Sequence, residues 1–378
     1  MAGKTGYEVA VTSLGCWQIC GCWSSGDETA VHKQAVNAYL DQGGNFLDTA
    51  NVYGGDYGTD KFGWSEKTIR EVLAERKAAG KDEGRRIYIA TKAGRAPPGG
   101  DDHGPERYTY ENLASSIASS AERLGVECID LLQLHCPPTD VLRGSTAFDA
   151  LRKLKDEGKI AHWGCSVETV EEAQLAIAQP DCASIQIIFN MLRHKPAAEF
   201  LAAAKAANVG TLIRLPFASG LLTGKIDAAY IAGLSDGDHR KFNAAGEFFV
   251  SPHLLSQWLS FPHRLTVVTH AAQDKGETWS GLGECLEDVA LPAVAGISTA
   301  IDAAKARGEI AAEATMAQTA LRWILDHEGV TCCIPGARTV EQVEGNLGAA
   351  KLPKLSEETH AAVKAVYAEK VQAIVEPQ

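Results

Sequence analysis

Several familiar signatures are missing from this chain, and each absence excludes something. No CxxC pair occurs, and the ten cysteines are scattered, several within apolar runs where a reduced thiol behaves as a small hydrophobe. Cys16, Cys20 and Cys22 lie close together, but no second cluster of matching spacing follows, so no metal site is expected. Scattered cysteines fit a reducing compartment. No run reaches the roughly 18 apolar residues of a membrane helix, and the first residues, MAGKTGYEVAVTSLG, lack the apolar core of a secretory signal. A cytoplasmic protein without a membrane partner is expected. An excess of positive charge is missing too: 36 Lys and Arg face 48 Asp and Glu, a net charge of -12, which argues against nucleic acid or an anionic membrane surface. Finally, LGCWQICGCW follows the first strand candidate without a GxGxxG, the fingerprint of an open dinucleotide-binding sheet.

What is present is a regular alternation of strand and helix patterns. Strands are expected at VTSLG (11–15), NFLDT (45–49), IYIATK (87–92), IDLLQLH (129–135), HWGCS (162–166), SIQIIFN (184–190), TLIRLP (211–216) and TCCIPG (331–336). Amphipathic stretches lie between them, at 65–76, 110–124, 147–158, 196–208 and 315–327, the last capped by Thr315. Strands that are apolar on both faces belong in a parallel sheet covered by helices. Eight such units point to an α/β fold of the closed (β/α)8 TIM barrel kind, a single domain over 1–378. In that architecture the reaction centre lies at the C-terminal ends of the strands.

Three successive strand candidates end in ionisable residues: Asp48, Lys92 and His135, with Tyr53 five residues beyond the first. Alone, each has an ordinary explanation: a turn cap, a solvent-seeking lysine, a packed phenol, a brace before CysProPro. Coincidence of all four at one level of a barrel is better explained by proton transfer to a carbonyl oxygen. A phenol with a pKa near ~10 is a poor acid at neutral pH. An ammonium beside it favours the phenolate and would make Tyr53 a better donor, with Asp48 holding Lys92 and His135 polarising the carbonyl. No side chain supplies a hydride, so a nicotinamide cofactor is implied.

The stretches NFLDTANVYG, IATK, LLQLH, GKIAHWGCS, QIIFN, PFASGLLTGK, ALRWIL and IPGARTVEQVEGNLGAA together resemble the aldo-keto reductase family over nearly the whole chain. The resemblance implies that Asp48, Tyr53, Lys92 and His135 form the catalytic tetrad, and that NADPH/NADP+ lies across the barrel mouth. Ser166 and Gln186 match positions that bind the nicotinamide carboxamide; Val167 stands where the family often has Asn. Arg214 would cover the nicotinamide ring, as in some bacterial-type members. Ser219, Leu221, Thr223 and Lys225 match the loop around the pyrophosphate. Gly336 and Arg338 precede a short helix whose N-terminus, with the arginine, suits the 2′-phosphate of NADPH, while Gln342 and Asn346 match adenine-binding positions. Trp17, Trp23, Tyr57 and Trp64 lie on loops expected to wall the pocket for a small-molecule carbonyl substrate.

The implied function is NADPH-dependent reduction of an aldehyde or ketone to an alcohol. Rival readings are an aldose or alcohol dehydrogenase working oxidatively, a low-turnover redox-sensing interaction subunit, and a metal-dependent hydrolase using Asp48 and His135. The stretch GEFF–DKGETWSG is interrupted at 250–273 by an apolar, basic insert. It reads either as a lid over the cofactor or as a translated, retained intron, since Val-Ser, Leu-Thr and Gln can be encoded by splice signals. Oligomeric state is left open.

Overall fold

The computed structural model describes residues 3–19, 28–54, 62–95, 104–227, 229–230, 233 and 289–375. Its eight strands are β1 (Leu14–Gly15), β2 (Phe46–Asp48), β3 (Tyr88–Ala93), β4 (Ile129–His135), β5 (Ile160–Ser166), β6 (Ser184–Ile188), β7 (Gly210–Arg214) and β8 (Cys332–Cys333). They form one sheet in chain order. The sheet closes: Thr12 bridges Cys333 in parallel and Gly15 bridges Gly336, with Ser13 N–H donating to the Cys333 carbonyl at 2.8 Å. Gly15 is required there, because a Cβ would lie 2.5 Å from the Ile334 carbonyl oxygen. The (β/α)8 barrel expected from the alternation is the architecture observed.

Strand parity sorts the side chains. Leu47 and Ile89 face outward and pack with Val36, Tyr39 and Leu40 of the helix Thr29–Asp41 and with Ile69 and Val72 of the helix Trp64–Ala78. Phe46, Ala90, Leu131, Leu212 and Cys332 form a separate apolar layer. Asp48 follows Phe46 by two residues and Lys92 follows Ala90 by two, so both continue the parity of that layer towards the strand ends. Apolar support of this kind is worth roughly 1.5–3 kcal/mol per fully buried Leu or Ile, and it fixes where the polar side chains above it stand.

The described chain falls into two compact units. One comprises Met1–Ile187, Glu199–Arg214 and Glu328–Leu347; the other Ile188–Ala198, Leu215–His327 and Gly348–Gln378. In the second, the helices Leu291–Ala306 and Glu357–Lys370 pack together, and Trp323 gathers Phe189, His194, His327 and His360 around its indole.

Several elements differ from the sequence expectation. The stretch 196–208 is two helices, Lys195–Glu199 and Leu201–Ala206. Between them Phe200, 1% exposed, leaves helical geometry at φ -130 and ψ -47. β1 and β8 keep only two residues each. β7 stops at Arg214 because Leu215 turns into the left-handed region at φ 48. The helix Met316–Leu325 starts where expected, on a capping box between Thr315 and Gln318. Among the described residues no helix is long and apolar enough to cross a membrane.

Candidate active site

Register brings the polar strand ends together. Lys92 of β3 lies opposite Gln133 of β4, His135 opposite Ser166 of β5, and Ser166 opposite Gln186 of β6. Asp48 pairs with Ala90, two residues short of Lys92, so the lysine must reach back. It does: Lys92 Nζ donates to Asp48 Oδ1 at 2.5 Å and to the Thr49 carbonyl at 2.9 Å. The same nitrogen lies 3.2 Å from the Tyr53 hydroxyl oxygen. Asp48 and Lys92 are 2% and 1% exposed.

Local chain geometry carries Tyr53 to this point. Tyr53 N–H donates to Ala50 C=O at 3.1 Å, closing a turn directly after β2. Asn51 N–H donates to the Lys92 carbonyl, and Gly54 at φ 101 releases the chain. Ser65 N–H then takes the Tyr53 carbonyl as acceptor, tying the turn to the helix Trp64–Ala78. His135 meets the Tyr53 ring edge-on at a centroid distance of 6.0 Å.

The electrostatics assign protonation states. Burial opposes charge on Lys92, but Asp48 and then Tyr53 outweigh it and hold the ammonium above its usual range. Burial, then the positive charges of Arg95, Lys92 and Arg214, push His135 well below its usual range, leaving a neutral imidazole. For Tyr53 the sequence expectation needs correcting. Lys92 and Arg214 do pull the phenol towards ionisation, yet burial, helped by Asp48, wins and the net shift is upward. A desolvated phenolate is costlier than one bonded ammonium can offset.

Ser166 and Gln186 are buried and bonded to each other, Oγ to Oε1, at 3.3 Å. Val167 is fully buried and supplies only its N–H, to the Gln186 carbonyl. Arg214 is not ion-paired to a carboxylate among the described residues; its Nη1 lies 3.1 Å from Cys136 Sγ. Cys136 and Leu215, the residues directly after His135 and Arg214, both sit at positive φ, 47 and 48, a strained conformation that concentrates at functional sites.

The phosphate-binding expectations fall in two segments, one in each unit. Arg338 precedes the helix Val340–Gly348; its backbone N–H donates to Gln342 Oε1 at 2.7 Å, and Thr339 accepts from the Gln342 N–H. Asn346 Nδ2 reaches the Gly336 carbonyl at 3.4 Å. In the other unit, Ala218, Ser219 and Gly220 form a tight left-handed turn at φ 46, 56 and 104. Thr223 Oγ1 closes it on the Gly220 carbonyl at 2.6 Å, Lys225 is exposed, and Leu221 is buried. Trp17 follows β1 in a short 3-10 turn, and Trp64 opens its helix with Nε1 buried and without a partner among the described residues. Trp23, Tyr57 and the insert 250–273 lie outside the described residues.

Sequence reasoning passed over four residues. Gln133 donates to Asp48, Arg95 presses on His135, Cys136 touches Arg214, and Glu168 holds a buried Oε1 without a partner among the described residues. Gln133 was visible as the one amide inside the apolar run IDLLQLH. The other three carry no local signal.

The strand ends of a closed parallel barrel thus carry a buried lysine–carboxylate pair beside a tyrosine. The Aldo/keto reductase family model matches residues 13–368, and the chain belongs to that family, though it spans under two thirds of the length of the first curated relatives it matches. The aldo-keto reductase YhdN of Bacillus subtilis (strain 168) is 30% identical over 229 residues, covering 60% of this chain and 64% of its own length. The fold is shared with the glycerol dehydrogenase AKR11B4 from Gluconobacter oxydans, at a TM-score of 0.68 and 24% identity over 97% of this chain and 94% of the other. It is also shared with an aldo/keto reductase from Klebsiella pneumoniae in complex with NADP and acetate, at a TM-score of 0.60 and 19% identity over 95% and 92%.

Proposed function

We propose that the protein reduces the carbonyl group of an aldehyde or ketone to an alcohol with NADPH, Tyr53 acting as general acid. The observation that carries this reading is the chain Asp48–Lys92–Tyr53, with links of 2.5 and 3.2 Å in a buried setting. Both Asp48 oxygens are taken up by Lys92, Gln133 and Gln186, which disfavours a role as a metal ligand.

The residues present fit the cofactor. Ser166 and Gln186 form a buried polar pair whose register with His135 suits a carboxamide at the same level. Arg214 lies close enough to both Tyr53 and His135 to bias their titration. His135 Nδ1 and Glu168 Oε1 are buried polar atoms without partners among the described residues. Arg338 at the start of the helix Val340–Gly348 offers a cation where a phosphate monoester is favoured. Taken by itself, the Ala218–Gly224 turn is a further candidate phosphate cradle, with Ser219, Thr223 and Lys225 supplying polar groups and Leu221 only its backbone. The cofactor's chemistry when bound is the supply of hydride to the carbonyl carbon.

The chain's own residues handle the oxygen. Neutral His135 polarises the carbonyl without competing as an acid. Tyr53 gives its proton to the developing alkoxide, and Lys92 stabilises the phenolate left behind. Asp48 keeps the ammonium charged and aimed. Tyr53→Phe tests the assignment: turnover on a panel of aldehydes, ketones and sugars falls at least about a hundredfold, the scale of a lost general acid. NADPH binding, followed by fluorescence, is retained. Undiminished turnover would refute the assignment.

A further inference from the structure

We propose that Gln133 is a positioning residue for the proton-transfer chain, its side-chain amide holding the Asp48 carboxylate in the orientation that keeps Lys92 under Tyr53. This rests on the reading of Tyr53 as the acid. Gln133 is fully buried in the middle of β4. An amide there is costly unless its hydrogen bonds are met, so its partners explain its presence. Its Nε2 donates to Asp48 Oδ2 at 3.1 Å, and its Oε1 lies 3.3 Å from Gln186 Nε2, which donates to the same carboxylate oxygen at 2.7 Å. The carboxylate is therefore divided: Oδ1 takes the ammonium and Oδ2 takes two neutral amides.

That division has a direction. An oxygen that accepts two N–H groups is held in place by them, and both amides must present their NH2 ends to it. Lys92 is then met by an oxygen that cannot rotate away without stranding two donors in the barrel interior. The register supports the role: Gln133 lies opposite Lys92 and two residues before His135, on the same face of β4. The other titratable and charged groups around the chain are Arg95 beyond β3, Arg214 of β7, His135 of β4, Cys16 after β1 and Cys332 of β8. Burial pushes both thiols up, Cys332 to about 12, and leaves them neutral. His135 is neutral as well. Tyr53 and Lys92 are thus the coupled pair whose titration an alkaline limb in turnover reports, and a more negative Asp48 moves both upward.

Gln133→Met keeps the length of the side chain and deletes the amide. With less of its charge offset, Asp48 draws Lys92 more strongly and raises the cost of the phenolate. The expected result is a kcat roughly tenfold to a hundredfold lower, the scale of a misaligned reacting group, with the alkaline limb of kcat moved to higher pH. NADPH binding is little changed. A fall in kcat with an unmoved limb, or no change in either, would overturn the proposal. If Gln133→Met does not fold, Gln133→Asn keeps the amide but stops short of Asp48; it shifts the limb the same way, and an unshifted limb counts against the proposal equally. Tyr53→Phe, run in parallel, separates the two ideas. Retained turnover there removes the underlying reading, whereas lost turnover together with a wild-type limb in the Gln133 variants removes only this inference.

Discussion

A lysine with 1% of its surface exposed remains a cation only against a carboxylate, and Lys92 has one at 2.5 Å. The converse dependence is as strong: without Lys92, Asp48 keeps its amide donors but has a buried charge with no counter-ion. Removing one member of a buried pair typically costs about 3–5 kcal/mol, so Lys92→Met is expected to lower the unfolding free energy by that order in urea titration. Adding Asp48→Leu removes the stranded charge and should recover much of the loss. A single variant as stable as the parent would mean the pair is not closed in solution. Sequence could name these two residues, because each ends a strand candidate. It could not give the sign of the Tyr53 shift, because desolvation depends on every side chain packed around the ring.

Elements were legible where their signal is local. The run IDLLQLH is β4 to the residue, and YENLASSIASSAERL is the helix Tyr110–Leu124. Ends governed by partners were not. β1 and β8 keep two residues each, and just past β8 the chain runs so close to Gly15 that a side chain there would collide with the Ile334 carbonyl, while the helix expected at 196–208 breaks at Phe200. The segment before the helix Val340–Gly348 shows the same division. Thr339 Oγ1 accepts from the Gln342 N–H and Gln342 Oε1 from the Arg338 N–H, while the donor-only Arg338 guanidinium takes no part in that capping. If it holds the 2′-phosphate, Arg338→Ala raises the KM for NADPH by on the order of tenfold or more, the worth of a charge-assisted contact, and leaves NADH nearly unaffected. Equal effects on the two cofactors would remove that role.

Across the molecule, buried and half-buried histidines couple folding to pH. Burial, more than any neighbouring charge, depresses His135, His162, His194 and His327, His194 to about 3. His194 is stacked on Tyr367 at 4.0 Å and accepts no second charge there. A base with a depressed folded pKa binds fewer protons folded than unfolded. Its contribution to stability is therefore complete above the unfolded value near ~6.5 and is lost as pH falls towards the folded one. Melting temperature should decline steadily from about pH 6.5 downward, and His194→Phe should flatten part of that decline. A melting curve independent of pH between 5 and 7 would contradict it.

By itself the sequence determined the alternation that makes a barrel and the four ionisable residues at its strand ends, because strand parity and residue type are written locally. Only the tertiary structure decided which oxygen of Asp48 meets Lys92 and which meets Gln133 and Gln186, and that Tyr53 stays a phenol. Those outcomes depend on register between strands 41 to 138 residues apart in contact partners such as Asp130–Ile89 and Gln186–Asp48, and on burial, which no short stretch of sequence contains.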